Sequence, residues 1–380
     1  MKVYFDNAAT TYPKPDSVAE SVYNFIKYNG SNIGRGAYKT AFNAAEKVYE
    51  TRELICKLFN FDNPDNVVFT KNVTEALNIV IKGFLKKGDH VLVSAMEHNA
   101  VMRPLTQLTE CGIEFSRIPS FSDGRMDIEA IEPLIKSNTR AIITTHASNV
   151  CGTIIPIEII GGICRKHDLK FIVDAAQTAG AIPVDMKKYS IDALCFTGHK
   201  GLYGPQGIGG FVITDEMSEL ITPIISGGTG SISNLETIPN FCPDKFEAGT
   251  LNIPGIFGLN AGIAFINEIG IDNIHKAEII LTEHFLKEIK GIYDLTVVGI
   301  ESTEERTAVV SVTSSQKDIS QIAYALDEYC IMTRVGMHCA PNAHKVLGTY
   351  PGGTLRFSFG YFNTNEEIEY TLKVLKSILI

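Results

Sequence analysis

Between about residues 65 and 215, short β-branched runs alternate with helix-like segments, and this alternation limits the fold more than any other feature of the chain. The runs fall at 67–69, 90–94, 141–145, 171–173, 193–197 and 210–214. Between several of them, at 75–86, 128–136 and 158–167, apolar residues recur three and four apart. Strands that alternate with helices imply crossovers, and crossovers imply a largely parallel sheet buried on both faces. In such sheets ligands gather beyond the carboxyl ends of the strands. Thr74, His98, Asn149, Asp174 and the pair His199-Lys200 all fall at or just after such ends. The remainder is more mixed. Helices are expected at 258–269, 273–290, 319–329 and 365–378, and strands at 295–298, 309–313 and 354–359. This reads as a second, α+β lobe beginning near residue 255. A length of 380 residues suits two lobes better than one core.

Charge and cysteine usage exclude several function classes. The net charge is −9, and no block of lysine or arginine occurs, which argues against nucleic acid or an anionic membrane as partner. The eight cysteines are scattered and form no Cys-x-x-Cys pair, so neither a metal site nor a disulfide framework is expected, and a reducing, cytoplasmic compartment suits them. The opening residues lack a signal-peptide core, and no apolar stretch is long enough to span a membrane.

Two strand ends carry the strongest chemistry. Ala193-Leu-Cys-Phe-Thr-Gly-His-Lys200 delivers a lysine from a buried run into a glycine-rich turn. Desolvation disfavours an ammonium ion, so such a lysine is suited to react as an amine. Lys170-Phe-Ile-Val-Asp174-Ala-Ala-Gln177 closes another buried run with an acid, which needs a partner there. That partner is either the next turn, which Asp174 would cap, or a pyridinium nitrogen of the kind pyridoxal phosphate (PLP) enzymes hold against an acid. Asn72-Val-Thr74-Glu75 sets a helix start after a strand, a place for a simple cap or for a phosphate. The segment from Gly83 to Gly88 is followed by Asp89, so it is no P-loop, and no dinucleotide fingerprint follows an early strand. His98 could stack on a flat ring, and Asn149 and Gln177 could donate to a ring oxygen. Cys339 follows His338 and lies near Arg334, and positive neighbours favour a thiolate. An inert buried thiol is the alternative. Arg356, inside an apolar run, needs an anion, either a substrate carboxylate or an internal acid.

Taken in order, these segments resemble one family. The opening Tyr-Phe-Asp6-Asn7-Ala-Ala-Thr-Thr11, Met-Glu-His98-Asn, Ser-Asn149-Val-Cys-Gly-Thr, Val-Asp174-Ala-Ala-Gln177, Thr-Gly-His-Lys200, Phe-Glu-Ala-Gly-Thr250 and Arg334-Val-Gly-Met-His-Cys339-Ala are similar to motifs of the class V, fold-type I PLP enzymes, within them the cysteine desulfurase and selenocysteine lyase group. The resemblance implies an α/β fold with a large PLP-binding domain at 15–254 and a small α+β domain from 1–14 and 255–380. It implies that Lys200 carries PLP and shuttles a proton, Asp174 faces the ring nitrogen, Gln177 faces the phenolate oxygen and His98 stacks on the ring. Thr74, Thr197 and His199 would hold the phosphate, with Thr250 reaching in from the partner subunit of a homodimer. Asn149 would lie beside cofactor and substrate, Arg356 with Arg35 would bind the substrate carboxylate, and Cys339 would take the substrate sulfur. The implied activity converts L-cysteine or L-selenocysteine to L-alanine, leaves a persulfide on Cys339, and passes sulfur to an acceptor protein. The rival within the same family is an aminotransferase or other PLP lyase in which Cys339 is structural. A non-catalytic binding module is a further alternative, although such a module is expected to have lost Lys200 or Asp174. One departure stands out: Gly34-Arg35-Gly36-Ala37-Tyr38 lacks two histidines typical of the structured-loop branch of the group.

Overall fold

The computed structural model describes residues 1–34, 36–232 and 234–379. Strand β1 (Val3–Tyr4) precedes a seven-stranded sheet made of β2 (Val67–Thr70), β3 (His90–Ser94), β4 (Glu114–Ile118), β5 (Thr139–Thr145), β6 (Lys170–Asp174), β7 (Ala193–Thr197) and β8 (Gly209–Ile213). Their order across the sheet is β2-β8-β7-β6-β5-β3-β4. The neighbours from β7 to β4 are parallel, and β8 lies antiparallel to both β7 and β2. The expected mainly parallel sheet is therefore present, with β8 the reversed strand among the seven.

The strands read as continuous apolar runs because both faces are covered. Successive side chains point to opposite sides. Val67, Phe69, Leu92, Ile142, Phe171 and Phe196 join one buried cluster with the helices Lys39–Leu58 and Ile157–Lys166. Val68, Val91, Val93, Ile143, Ile172 and Phe211 join another with Val73–Phe84 and Asn99–Thr109. Glycine permits the closest approach. A Cβ on Gly210 would lie 2.3 Å from the Val68 carbonyl oxygen of the neighbouring strand.

Several elements differ from the sequence expectation, each for a physical reason. β4 is an edge strand with Glu114 exposed, so it carries no apolar run. The helix expected at 128–136 is a 3₁₀ turn followed by Ile131–Leu134, and Pro133, which has no N–H to continue the ladder, lies inside it. Helix Lys39–Leu58 exposes Phe42 and Tyr49, which blurs its apolar stripe.

The rest of the chain forms a four-stranded antiparallel sheet. Its strands are β9 (Leu295–Val298), β10 (Val309–Ser314), β12 (Arg334–Gly336) and β13 (Thr354–Ser358), while the short β11 (Ile331–Met332) pairs in parallel with β1. Val3 and Phe5 share its core with Phe285, Val310, Phe357 and Leu372. Helix Ile253–Ile269 instead packs Ile256, Leu259, Ile263 and Ile266 into the large-sheet cluster. The break expected near residue 255 thus falls inside a helix that belongs by packing to the large sheet. Among the described residues no single helix is long and apolar enough to cross a membrane.

Candidate active site

Register brings the candidate residues to one end of the large sheet. Thr70 of β2 and Thr197 of β7 both pair with Gly209, so the turns that follow these two strands share an edge. Thr145 pairs with Asp174, and Asp174 pairs with Cys195 two residues before the end of β7. Because β2, β3, β5, β6 and β7 run in one direction, Thr74, His98, Asn149, Asp174 with Gln177, and Thr197 with His199 and Lys200 all follow carboxyl ends at that side.

The turn that holds Lys200 is packed backbone to backbone. A Cβ on Gly201 would meet the Ala179 carbonyl oxygen at 2.6 Å, and one on Gly180, at φ +80°, would meet the Gly201 carbonyl oxygen at 2.3 Å. Burial pulls the Lys200 ammonium down to about 8, against the raising pull of the Asp174 carboxylate, while Arg356 and Arg334 lower it further. Asp174 is 2% exposed, and burial raises its pKa. Its Oδ1 accepts the Ala176 N–H at 2.9 Å, so it caps its own turn as well as facing the lysine charge. Beside it lies Glu97, an acid that strand-end position alone does not single out from the His98 segment. Glu97 is 1% exposed, accepts from the Ser94 hydroxyl and from the Thr145 N–H at 2.7 Å, and leaves Oε2 without a partner. Burial, with a smaller contribution from Asp174, raises its pKa to about 8. Its adjacency to His98 was the available signal.

His98 caps helix Asn99–Thr109, its Nδ1 accepting the Ala100 N–H at 3.0 Å. Burial and then Lys200 lower its pKa to about 4, so the ring is neutral at pH 7 and carries its proton on Nε2. Asn149 does not aim its amide freely at a ligand: Nδ2 donates to the His338 carbonyl at 2.7 Å. Arg356, 2% exposed, donates to the Asn149 carbonyl at 2.9 Å and pairs with Asp6 at 2.8 Å. Of the two anions the sequence allowed, an internal acid is therefore present, while Arg356 Nε stays without a partner. Arg334 stands opposite Arg356 in the β12–β13 register, and its charge lowers the pKa of His98, Lys200 and His338. No ion pair of Arg334 occurs among the described residues.

Cys339 is an exposed free thiol. It and His338 both hold positive φ, +58° and +47°. Three hydrogen bonds to main-chain carbonyls stabilise this left-handed pair: the Asn149 side-chain amide to the His338 carbonyl, the Asn99 N–H to the Cys339 carbonyl at 2.8 Å, and the Ala340 N–H to the Met337 carbonyl at 2.9 Å. The expectation that His338 favours a thiolate needs correction. Its ring is buried against Thr354 at 2.9 Å, and burial, with Arg356 next, pushes its pKa down to about 2. A neutral imidazole supplies no positive charge to the neighbouring thiol.

The chain matches the class-V aminotransferase model over residues 3–371. The chain belongs to the class V aminotransferase family. A probable cysteine desulfurase of Methanothermobacter thermautotrophicus is 36% identical over 99% of this chain and 94% of its own. A cysteine desulfurase of Shigella sonnei is 31% identical over 99% and 93%. Among solved structures, the apo cysteine desulfurase of Thermococcus onnurineus NA1 superposes with a TM-score of 0.93 at 32% identity, covering all of this chain and 94% of that one.

The class V aminotransferase and cysteine desulfurase families are PLP-dependent. Here the donor set fits such a group. Thr197 Oγ1 and His199 Nδ1 are buried with no hydrogen-bond partner among the described residues, beside the exposed helix start at Thr74, a combination suited to a phosphate. Asp174 and Lys200 provide the acid and the amine. Gln177 donates to the Ala8 carbonyl at 3.2 Å. Thr250 is exposed and lines two cavities, one of about 700 Å³ with Tyr38, Arg52 and Glu247 and one of about 280 Å³ with Thr70, Lys71 and Glu75 beside the Thr74 helix start. Arg35 lies outside the described residues.

Proposed function

We propose that this class V enzyme is a PLP-dependent cysteine desulfurase that takes sulfur from L-cysteine, or selenium from L-selenocysteine, and forms L-alanine with a persulfide on Cys339. The observation that carries the reading is the pairing of a desolvated Lys200 amine and a buried Asp174 with an exposed thiol held on the same side, its loop tied to Asn99 and Asn149. The full-length relatives named cysteine desulfurase support it. Bound PLP supplies an electron sink for the substrate α-carbon. Lys200 would hold the cofactor and move the α-proton. Asp174 keeps the ring nitrogen protonated, Gln177 and His98 orient the ring, and Thr74, Thr197 and His199 hold the phosphate. The site's two arginines, Arg356 held by Asp6 and Arg334, which has no ion pair among the described residues, accept the substrate carboxylate, with Asn149 beside it and Arg35 as a further candidate. Cys339 attacks the γ-sulfur: an S–S bond forms, the Cβ–S bond breaks, and the electron pair left on Cβ takes a proton. Substrate sulfur is oxidised and substrate carbon reduced, so no outside redox partner is needed.

The proposal also includes two lobes, with the boundary moved from the expected 255 to near 270 because helix Ile253–Ile269 packs on the large sheet, 1–14 joining the second lobe, a homodimer, a cytoplasmic location and a sulfur-acceptor protein. Exposed Tyr23, Ile26, Tyr28 and Phe42 support the dimer, because large apolar side chains close together in the chain favour a covered face. Thr250 on its exposed cavity would then serve the neighbouring subunit's phosphate. The test is incubation of the holoenzyme with L-cysteine and L-selenocysteine separately. Alanine should appear with each, and peptide mapping should find the persulfide from L-cysteine on Cys339. Pyruvate from alanine plus a keto acid, with no persulfide, would overturn this reading in favour of an aminotransferase.

A further inference from the structure

We propose that Lys14 is a positioning residue for Lys200, and that residues 6–14 form a strap that fixes the lysine-bearing turn. The inference rests on Lys200 being the cofactor-holding amine. The His199 carbonyl belongs to the peptide whose nitrogen is that of Lys200. Three donors converge on this one oxygen, the Thr11 N–H, the Thr10 hydroxyl and the Lys14 ammonium, each at 3.1 Å. A carbonyl oxygen offers two lone pairs. Three donors, one of them charged, therefore overdetermine the direction in which the peptide points. The turn bonds internally through other groups, Gly204 N–H to the Gly198 carbonyl and Tyr203 N–H to the Lys200 carbonyl. The partners of His199 come instead from 185 or more residues away.

Lys14 is built for this contact. It sits between Pro13 and Pro15, which narrow the backbone on either side. It has no carboxylate partner among the described residues, and burial draws its pKa down to about 8. An ammonium that surrenders hydration to bond a single main-chain oxygen serves that oxygen rather than solubility. The rest of the strap reaches the site's other parts. Asp6 holds Arg356, the Ala8 N–H donates to the Ser358 hydroxyl at 2.9 Å, and the Ala8 carbonyl accepts from Gln177. One short segment thus touches the elements that carry the arginine, the glutamine and the lysine.

The experiment compares wild type, Lys14→Met, Lys14→Arg and Thr10→Val, and follows two readouts that a simple structural staple would not move together. In cofactor-free protein, amide exchange across residues 198–201 should speed up about tenfold in Lys14→Met, as expected for loss of one charge-assisted hydrogen bond. In holoenzyme, the pH midpoint of the cofactor's absorbance change should rise by about half a unit or more, with kcat down roughly tenfold and KM within about twofold. Lys14→Arg should recover most of the midpoint, and Thr10→Val should give a smaller rise in the same direction. Unchanged exchange in Lys14→Met, or an unchanged midpoint beside a lowered Tm, overturns the proposal. Wild-type protein that takes up no PLP would sink the proposed function instead, and exchange would still decide the strap.

Discussion

Around Lys200 the neighbours are close and the contacts are backbone on backbone, whereas Cys339 stands in the open on a loop tied by three hydrogen bonds to its main-chain carbonyls. The first arrangement buries an amine and lowers its pKa; the second leaves a thiol open to solvent. The costs differ as well. The lysine turn spends glycines at contacts where any Cβ would collide. The cysteine loop carries two non-glycine residues in the left-handed region, at roughly 1–2 kcal/mol each. A group that must lose its charge needs a rigid, dry seat, and a group that must accept and hand on an atom needs exposure with a fixed direction. The chain keeps the two on separate elements, joined through Asn149 and Asn99.

The largest effect should come from the rigid side. Lys200→Ala should abolish the cofactor's Schiff-base absorbance and lower alanine formation by about four orders of magnitude. A mutant that keeps the band would place the amine elsewhere. Cys339→Ala should break the comparison from the other side. It should bind PLP and L-cysteine as wild type does, yet lose persulfide and lower alanine from L-cysteine by about three orders of magnitude. Activity on L-selenocysteine should survive in part. Wild-type alanine formation from L-cysteine in this mutant would make the thiol structural. A third measurement sharpens the electrostatics of the lysine seat. Lys200 loses its proton near pH 8, so PLP uptake by apo-protein should rise with pH and reach half-maximum there. Because Asp174 pulls that pKa upward, Asp174→Asn should move the half-maximum below 8, and a shift upward would reverse the assigned sign. The smallest effect belongs to the link between the regions. Asn149→Ala removes the bond to the His338 carbonyl and should slow persulfide formation about tenfold. Equal slowing of L-selenocysteine turnover would show that Asn149 acts on the substrate instead of the loop.

Much of this was legible in the chain itself because the strands are buried on both faces. Runs such as 193–196 and 91–93 are unbroken apolar signals, and the residues just beyond their strands form the candidate site. The edge strand β4 and the helix Lys39–Leu58 were not legible, since partial exposure mixes their patterns. In the site, Lys200 and Asp174 are marked by their place at strand ends. Side-chain contacts across the chain leave no such mark. Nothing in the sequence pairs Asp6 with Arg356, places the neutral ring of His338 against Thr354, or separates Glu97 from its histidine neighbour. These are consequences of two sheets meeting, which local pattern cannot encode.

The Asp6–Arg356 pair spans a sequence separation of 350 residues. A ribosome adding about 5–20 residues per second needs roughly 20–70 s to cross that interval. Throughout it, Val3 and Phe5 have no β13 to pack against, and the arginine's counter-ion waits for its partner. The large sheet can close while the strap is still loose. Completion of the site is thus a late event in biogenesis, and the interval before it is the one in which a chaperone has an apolar N-terminal stretch to hold.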